Sequence, residues 1–157
     1  TYISYINKQR TELLSELNDL TQTIDITTVE KGGNIQIHFV PERQFSQVLP
    51  SYIPINWGFF WLLWDSKGNI YRSTILIDTS KISQRARNHL ITEEITQSLG
   101  LMKDSSEYIS SIFYQGYTYT SSLSLLDRDV VELLYNYDPG FSSGTSKAEV
   151  KTILSMD

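Results

Sequence analysis

The chain has 157 residues, no cysteine, two histidines, and 13 lysines and arginines against 18 aspartates and glutamates. That length suits one packed core, while 40% hydrophobic and 12% aromatic residues exclude an intrinsically disordered chain. A net charge of −5 without basic clusters argues against nucleic acid, the missing cysteines exclude disulfides and thiolate metal sites, and two imidazoles exclude any three-histidine site.

The sequence predicts one domain over residues 1–157, with 146–157 as a short C-terminal helix or tail. It begins at Thr1 rather than methionine, so a processed start is expected. No apolar run approaches the ~20 residues of a membrane-spanning helix. Ile3, Ile6, Leu13, Leu14, Leu17 and Leu20 recur on a helical period, predicting an amphipathic helix over 2–20. Ile24, Ile26 and Thr28 alternate with polar residues and predict a strand. Gly32-Gly33 then turns into Asn34–Val40, a strand with Ile35, Ile37 and Phe39 on one face and His38 on the other.

Pro41, Pro50 and Pro54 mark an irregular stretch with a helical turn around Arg43 to Leu49. The aromatic run Gly58 to Trp64 and the β-branched run Ile70 to Asp78 flank Asp65-Ser66-Lys67-Gly68, predicting a hairpin. A helix is expected from Gln84 to Leu99, ended by a left-handed Gly100. After a loop holding Ser105, Ser106 and Gly116, Ser124 and Asp127 form a variant capping box for a helix from Leu125 to Tyr135. The Asp138-Pro139-Gly140 turn and Ser142-Ser143-Gly144 lead to a last helix near Lys147 to Leu154. This order predicts an α+β fold, its mixed, mostly antiparallel sheet carrying helices on one side.

On the central helix, Arg85, His89, Glu93 and Gln97 recur every four residues and share a face, with Glu94 beside it. Leu90, Ile91, Ile95 and Leu99 point elsewhere, into the core. Four polar residues in a row ordinarily make a solvated face. Here the helix covers apolar strands and stops at a glycine turn, an arrangement that presents polar groups to a cleft.

The run Glu93-Glu94-Ile95-Thr96-Gln97-Ser98-Leu99-Gly100-Leu101-Met102-Lys103-Asp104 resembles the metzincin zinc-peptidase motif H-E-x-x-H-x-x-G-x-x-H-D. Position by position, Glu93, Gln97 and Lys103 stand where that family has its three zinc-binding histidines. Glu94 takes the general-base position, Gly100 the turn and Asp104 the trailing acid. Ser111-Ile112-Phe113-Tyr114 resembles the Met-turn, with Phe113 in place of methionine, and Leu123 to Tyr135 resembles the C-terminal helix of matrixin-type enzymes. The likeness runs from about Ile3 to Gly144. The chain is also similar to a bacterial family of uncharacterised, often lipoprotein-like domains with a Glu-Glu-x-Thr-Gln-x-Leu-Gly-Leu-x-x-Asp-Ser segment, matched here by Glu93 to Ser105.

These resemblances imply a zincin-like fold whose metal chemistry is altered. Zinc prefers imidazole or thiolate, and a protonated Lys103 repels a dication, so neither zinc nor zinc hydrolysis is expected. A metal-free polar cluster is expected instead, with Lys103 neutralising Glu93 or Glu94, Gln97 bridging, and His89 and Asp104 nearby. The functional expectation is an inactive zincin-like module of an extracytoplasmic bacterial protein, secreted or lipid-anchored, holding an extended peptide or protein in the remnant cleft. The alternative is a hydrolase with a non-standard metal or metal-free site around Glu94, including a displaced His89–Glu93 site. No G-x-S-x-G, P-loop or G-x-G-x-x-G motif occurs.

Overall fold

Helix α1, Tyr2–Leu20, opens the computed structural model, which describes residues 2–53, 56–136 and 145–155. Pro54, the Asp138-Pro139-Gly140 turn, the Ser142–Gly144 segment and the side chains of Ile3 and Ile6 lie outside the described residues. Leu13 and Leu17 of the predicted stripe are buried. The helix ends where Thr21 returns both its backbone N–H (3.0 Å) and its hydroxyl (2.8 Å) to the Leu17 carbonyl.

The strand expected at Ile24 to Thr28 does not form. Asn18 takes the place of a neighbouring strand: its side-chain amide donates to the Ile26 carbonyl (2.9 Å) and accepts from the Ile26 N–H (2.7 Å). With that peptide unit satisfied from the helix, Ile24 and Ile26 still pack on the core without sheet pairing.

The sheet contains β1 (Ile35–Val40), β2 (Gly58–Trp64) and β3 (Ile70–Asp78) in the order β1-β3-β2. β1 runs parallel to β3, with Ile37 opposite Ile75, and β2 runs antiparallel to it, with Gly58 opposite Ile77. The predicted hairpin thus forms, its turn held by Asp65, whose carboxylate accepts from the Lys67 and Asn69 backbone. The sheet is mixed, so the chain is an α+β domain as its pattern predicted.

Side-chain alternation splits the sheet's two faces. Ile35, Ile37, Phe39, Phe60, Ile75 and Ile77 join Leu13, Leu17, Ile91, Ile95 and Val131 in the main core. On the other face, Leu76 and Phe59 pack with Phe45 of the short α2 (Phe45–Val48) and with Tyr52. The Tyr52 ring meets Phe45 and Phe59 edge-on at 5.1 and 5.3 Å. The aromatic β2 therefore serves both cores, leaving Trp61 and Trp64 exposed.

Helix α3 (Gln84–Gln97) starts at a serine cap that the sequence pattern did not single out, Ser83 Oγ accepting from the Ala86 N–H. It closes at Gly100, whose φ of +117° disfavours any side chain. Helix α4 (Leu125–Asn136) opens on the predicted capping box: Ser124 N–H donates to Asp127, and Asp127 N–H to Ser124 Oγ. Tyr135 of α4 donates its hydroxyl to the Leu99 carbonyl, tying α4 to the end of α3. Helix α5 spans Lys147–Leu154. Among the described residues no helix is long and apolar enough to cross a membrane.

Candidate functional site

The polar face of α3 lies beside the start of β2, the antiparallel edge of the sheet. Gly58 makes the approach possible: a Cβ there would collide with Glu94 Oε1 and sit 2.8 Å from Leu90 Cδ2. A glycine opening an otherwise aromatic strand is the sequence signal for such close packing.

The face is not solvated. Arg85 remains exposed and rests its guanidinium 4.7 Å above the Tyr119 ring, but His89, Glu94 and Gln97 are buried. The 117–121 segment covers its N-terminal half. The Thr120 carbonyl lies 2.5 Å from His89 Nδ1, so Nδ1 carries the proton and Nε2 keeps its lone pair. Thr92 donates its hydroxyl to the Ser121 carbonyl nearby. These partners are backbone carbonyls, which leave no side-chain signature in a sequence.

The neutral His89 Nε2 stands 3.4 Å from Glu93 Oε2. Burial holds the His89 pKa below its usual value, against the Thr120 carbonyl, which favours the charged ring. Burial, helped by the nearby Asp104 charge, pushes Glu93 up to about 8. Glu94 is only 5% exposed, and burial, then Glu93 and Asp104, drives its pKa well above the usual carboxylate range. Its Oε2 has no hydrogen-bond partner. Burial thus favours the neutral forms of His89, Glu93 and Glu94 on this face.

Asp104 is brought in by the loop after Gly100, where Gln97 Nε2 donates to its carboxylate at 2.7 Å. A backbone clasp fixes that loop: Ser105 N–H donates to Phe113 O (2.7 Å) and Gln115 N–H to Ser105 O (2.9 Å). Phe113 itself is buried in the main core. The Ser111–Phe113 turn is anchored by Asp127, which accepts from Ser111 Oγ (2.5 Å) and Ile112 N–H (2.9 Å). The capping box identified Asp127 in the sequence, but this second and larger task was not visible there.

Of the positions singled out, the structure gathers His89, Glu93, Glu94, Gln97 and Asp104 and leaves out Lys103. That lysine is exposed, and among the described residues it pairs with neither Glu93 nor Glu94. The expected neutralising ion pair is therefore not formed; burial neutralises the acids by protonation instead. The donor set does not suit Zn²⁺, which needs deprotonated or neutral-nitrogen ligands converging on one point. Glu93 holds its proton, Gln97 is engaged with Asp104, and Lys103 points into solvent. Nor do His89 and Glu93 acquire a third ligand: among the described residues no three His, Asp or Glu side chains are grouped to hold a metal.

What fold and site define is an α+β domain whose central helix carries a largely buried acidic face against an antiparallel edge strand. Residues 3–156 match the model of the family described as a protein of unknown function, DUF2927, and the chain belongs to that family. No curated protein matches it.

Proposed function

We propose that this chain is a zincin-like domain without peptidase chemistry, working outside the bacterial cytoplasm, that holds an extended peptide or protein segment along β2. The observation that carries this reading is the juxtaposition of an antiparallel edge strand with the acid-bearing helix, close enough that a Cβ at position 58 would press on the Glu94 carboxyl. In zincins the cleft lies between such a strand and the motif helix, and adding a strand of substrate to the edge uses main-chain hydrogen bonds that need no metal. The exposed Trp61 and Trp64 provide contact area for side chains of the added strand. The extracytoplasmic setting rests on the resemblance to lipoprotein-like domains.

The loss of hydrolysis is supported by the state of Glu94. A general base must be ionised and within reach of water, whereas this carboxyl is buried and its burial favours the protonated form. The test combines hydrogen exchange with a metal and peptidase assay. An unstructured peptide library should slow exchange of the Gly58–Trp64 amides, without cleavage. Stoichiometric zinc that disappears in Glu93→Ala, or peptide hydrolysis that disappears in Glu94→Gln, overturns the proposal.

A further inference from the structure

On the β1 side of the sheet, away from the acidic face, a cavity of about 760 Å³ lies between α1, the 24–34 segment, β1 and the start of β3. Leu14, Ile24, Ile26, Ile37 and Leu99 give it an aliphatic floor, while Gln36, His38 and much of the 25–34 segment make its rim polar; the volume falls within the roughly 300–1,000 Å³ of small-molecule sites. Two atoms on the lining are out of place in such surroundings. Arg10 Nε and Ser73 Oγ are both buried and neither has a hydrogen-bond partner. Ser73 is 1% exposed and belongs to the same face of β3 as Ile75 and Ile77 of the main core.

Buried polar groups in folded proteins are nearly always satisfied, so each orphan calls for an explanation. An arginine Nε and a serine hydroxyl on residues that line one cavity have a simple one: the missing partner arrives with a ligand. Asp25, Glu30, Lys31 and Arg72 also border the cavity, but all four are exposed and their charges cancel. Arg10, half-buried, is thus the charge that distinguishes the interior. One guanidinium can form two parallel hydrogen bonds to a carboxylate or a phosphate alike, but its single charge is balanced by a monoanionic carboxylate and not by a phosphate dianion.

We propose that this cavity binds an unesterified aliphatic carboxylic acid, its carboxylate held by Arg10 with Ser73 as a second polar contact and its chain lying along the Leu and Ile walls. The proposal is independent of the β2 edge, which lies on the other side of β3. Binding is read by isothermal titration with octanoate, decanoate and dodecanoate, each below its micelle concentration. One site per chain is expected, with affinity rising about fourfold per added methylene.

Arg10→Gln should weaken dodecanoate at least tenfold while leaving 1-dodecanol unchanged, which separates the head contact from the chain contact. Leu14→Trp, which fills the cavity, should abolish both; Ile24→Trp replaces it if thermal melting shows that the first variant does not fold. Three results overturn the proposal: no saturable binding, affinity that ignores chain length, or methyl dodecanoate binding as tightly as dodecanoate.

Discussion

Asp78, at the end of β3, and Asp127, in the first turn of α4, are buried like Glu94 of α3 and more deeply than Glu93, but each sits among donors. Asp78 accepts from the Glu42, Ser80 and Lys81 backbone and from Ser80 Oγ. Asp127 accepts from Ser111 Oγ, Ile112 N–H and Ser124 N–H. Both stand where the chain leaves regular structure and backbone N–H groups are free to donate. Glu93 and Glu94 stand in the second half of a helix, where every N–H is already committed to the carbonyl four residues back and the helix dipole is unfavourable to anions. Donors therefore make Asp78 and Asp127 anchors of the chain, whereas at Glu93 and Glu94 burial without donors favours the neutral acid.

The sharpest way to break this contrast is to remove an anchor. Asp127→Ala leaves three buried donors unpaired and releases the Ser111–Phe113 turn that supports the Asp104 loop. A loss of about 3–5 kcal/mol is expected in urea unfolding; a loss under about 1 kcal/mol would mean the turn is held by something else.

Glu93 and Asp78 also give opposite pH dependence. Glu93 ionises near 4.5 when unfolded and at about 8 when folded, so the folded chain binds more protons between those values. Stability from this group is complete below the unfolded value and is lost as pH rises toward 8. Roughly 2–4 kcal/mol should disappear between pH 5 and pH 8, and Glu93→Gln should flatten that limb. Glu94 acts in the same direction. At Asp78, burial favours the neutral acid, but the Lys81, Ser80 and Glu42 donors outweigh it and lower the pKa. Its contribution is therefore present above the unfolded value and lost on acidification. Melting curves across pH should show Asp78→Asn changing only the acid limb and Glu93→Gln only the neutral-to-alkaline limb; a shared response would refute the distinction.

The same contrast explains how much was legible beforehand. Helix periods, the hairpin, the Ser124 cap and Gly100 could be read because each rests on local rules. The i,i+4 spacing also placed His89, Glu93 and Gln97 on one face correctly. What could not be read was whether that face is wet, since its cover consists of the Thr120 and Ser121 carbonyls, about 30 residues away in sequence. The strand at Ile24 to Thr28 failed for a similar reason: alternation signals burial of Ile24 and Ile26, but a side-chain amide from α1 satisfied the backbone instead of a neighbouring strand. Parallel pairing of β1 with β3 likewise depends on a crossover that no local pattern encodes.

Gly58 tests how tightly the acidic face is packed against β2. Gly58→Ala should cost about 1–3 kcal/mol through overpacking, and much less in a Glu94→Ala background, because the colliding carboxyl is then gone. Additive costs in that double-mutant cycle would show that the strand, not the acid, resists the new methyl group.

The smallest effect is expected at Lys103, the position that the motif comparison made most prominent. An ion pair with a buried Glu93 or Glu94 would make Lys103→Met costly, since the remaining acid would be left charged and alone. The structure neutralises those acids with protons and leaves the lysine in solvent, so the substitution should change unfolding free energy by less than about 0.5 kcal/mol. It should also leave the alkaline limb of the stability profile where it was, because Lys103 supplies none of the field that sets the Glu93 pKa. A steeper loss above pH 7 in Lys103→Met would place the ammonium inside the site after all, and the acidic face would then be an ion-pair cluster.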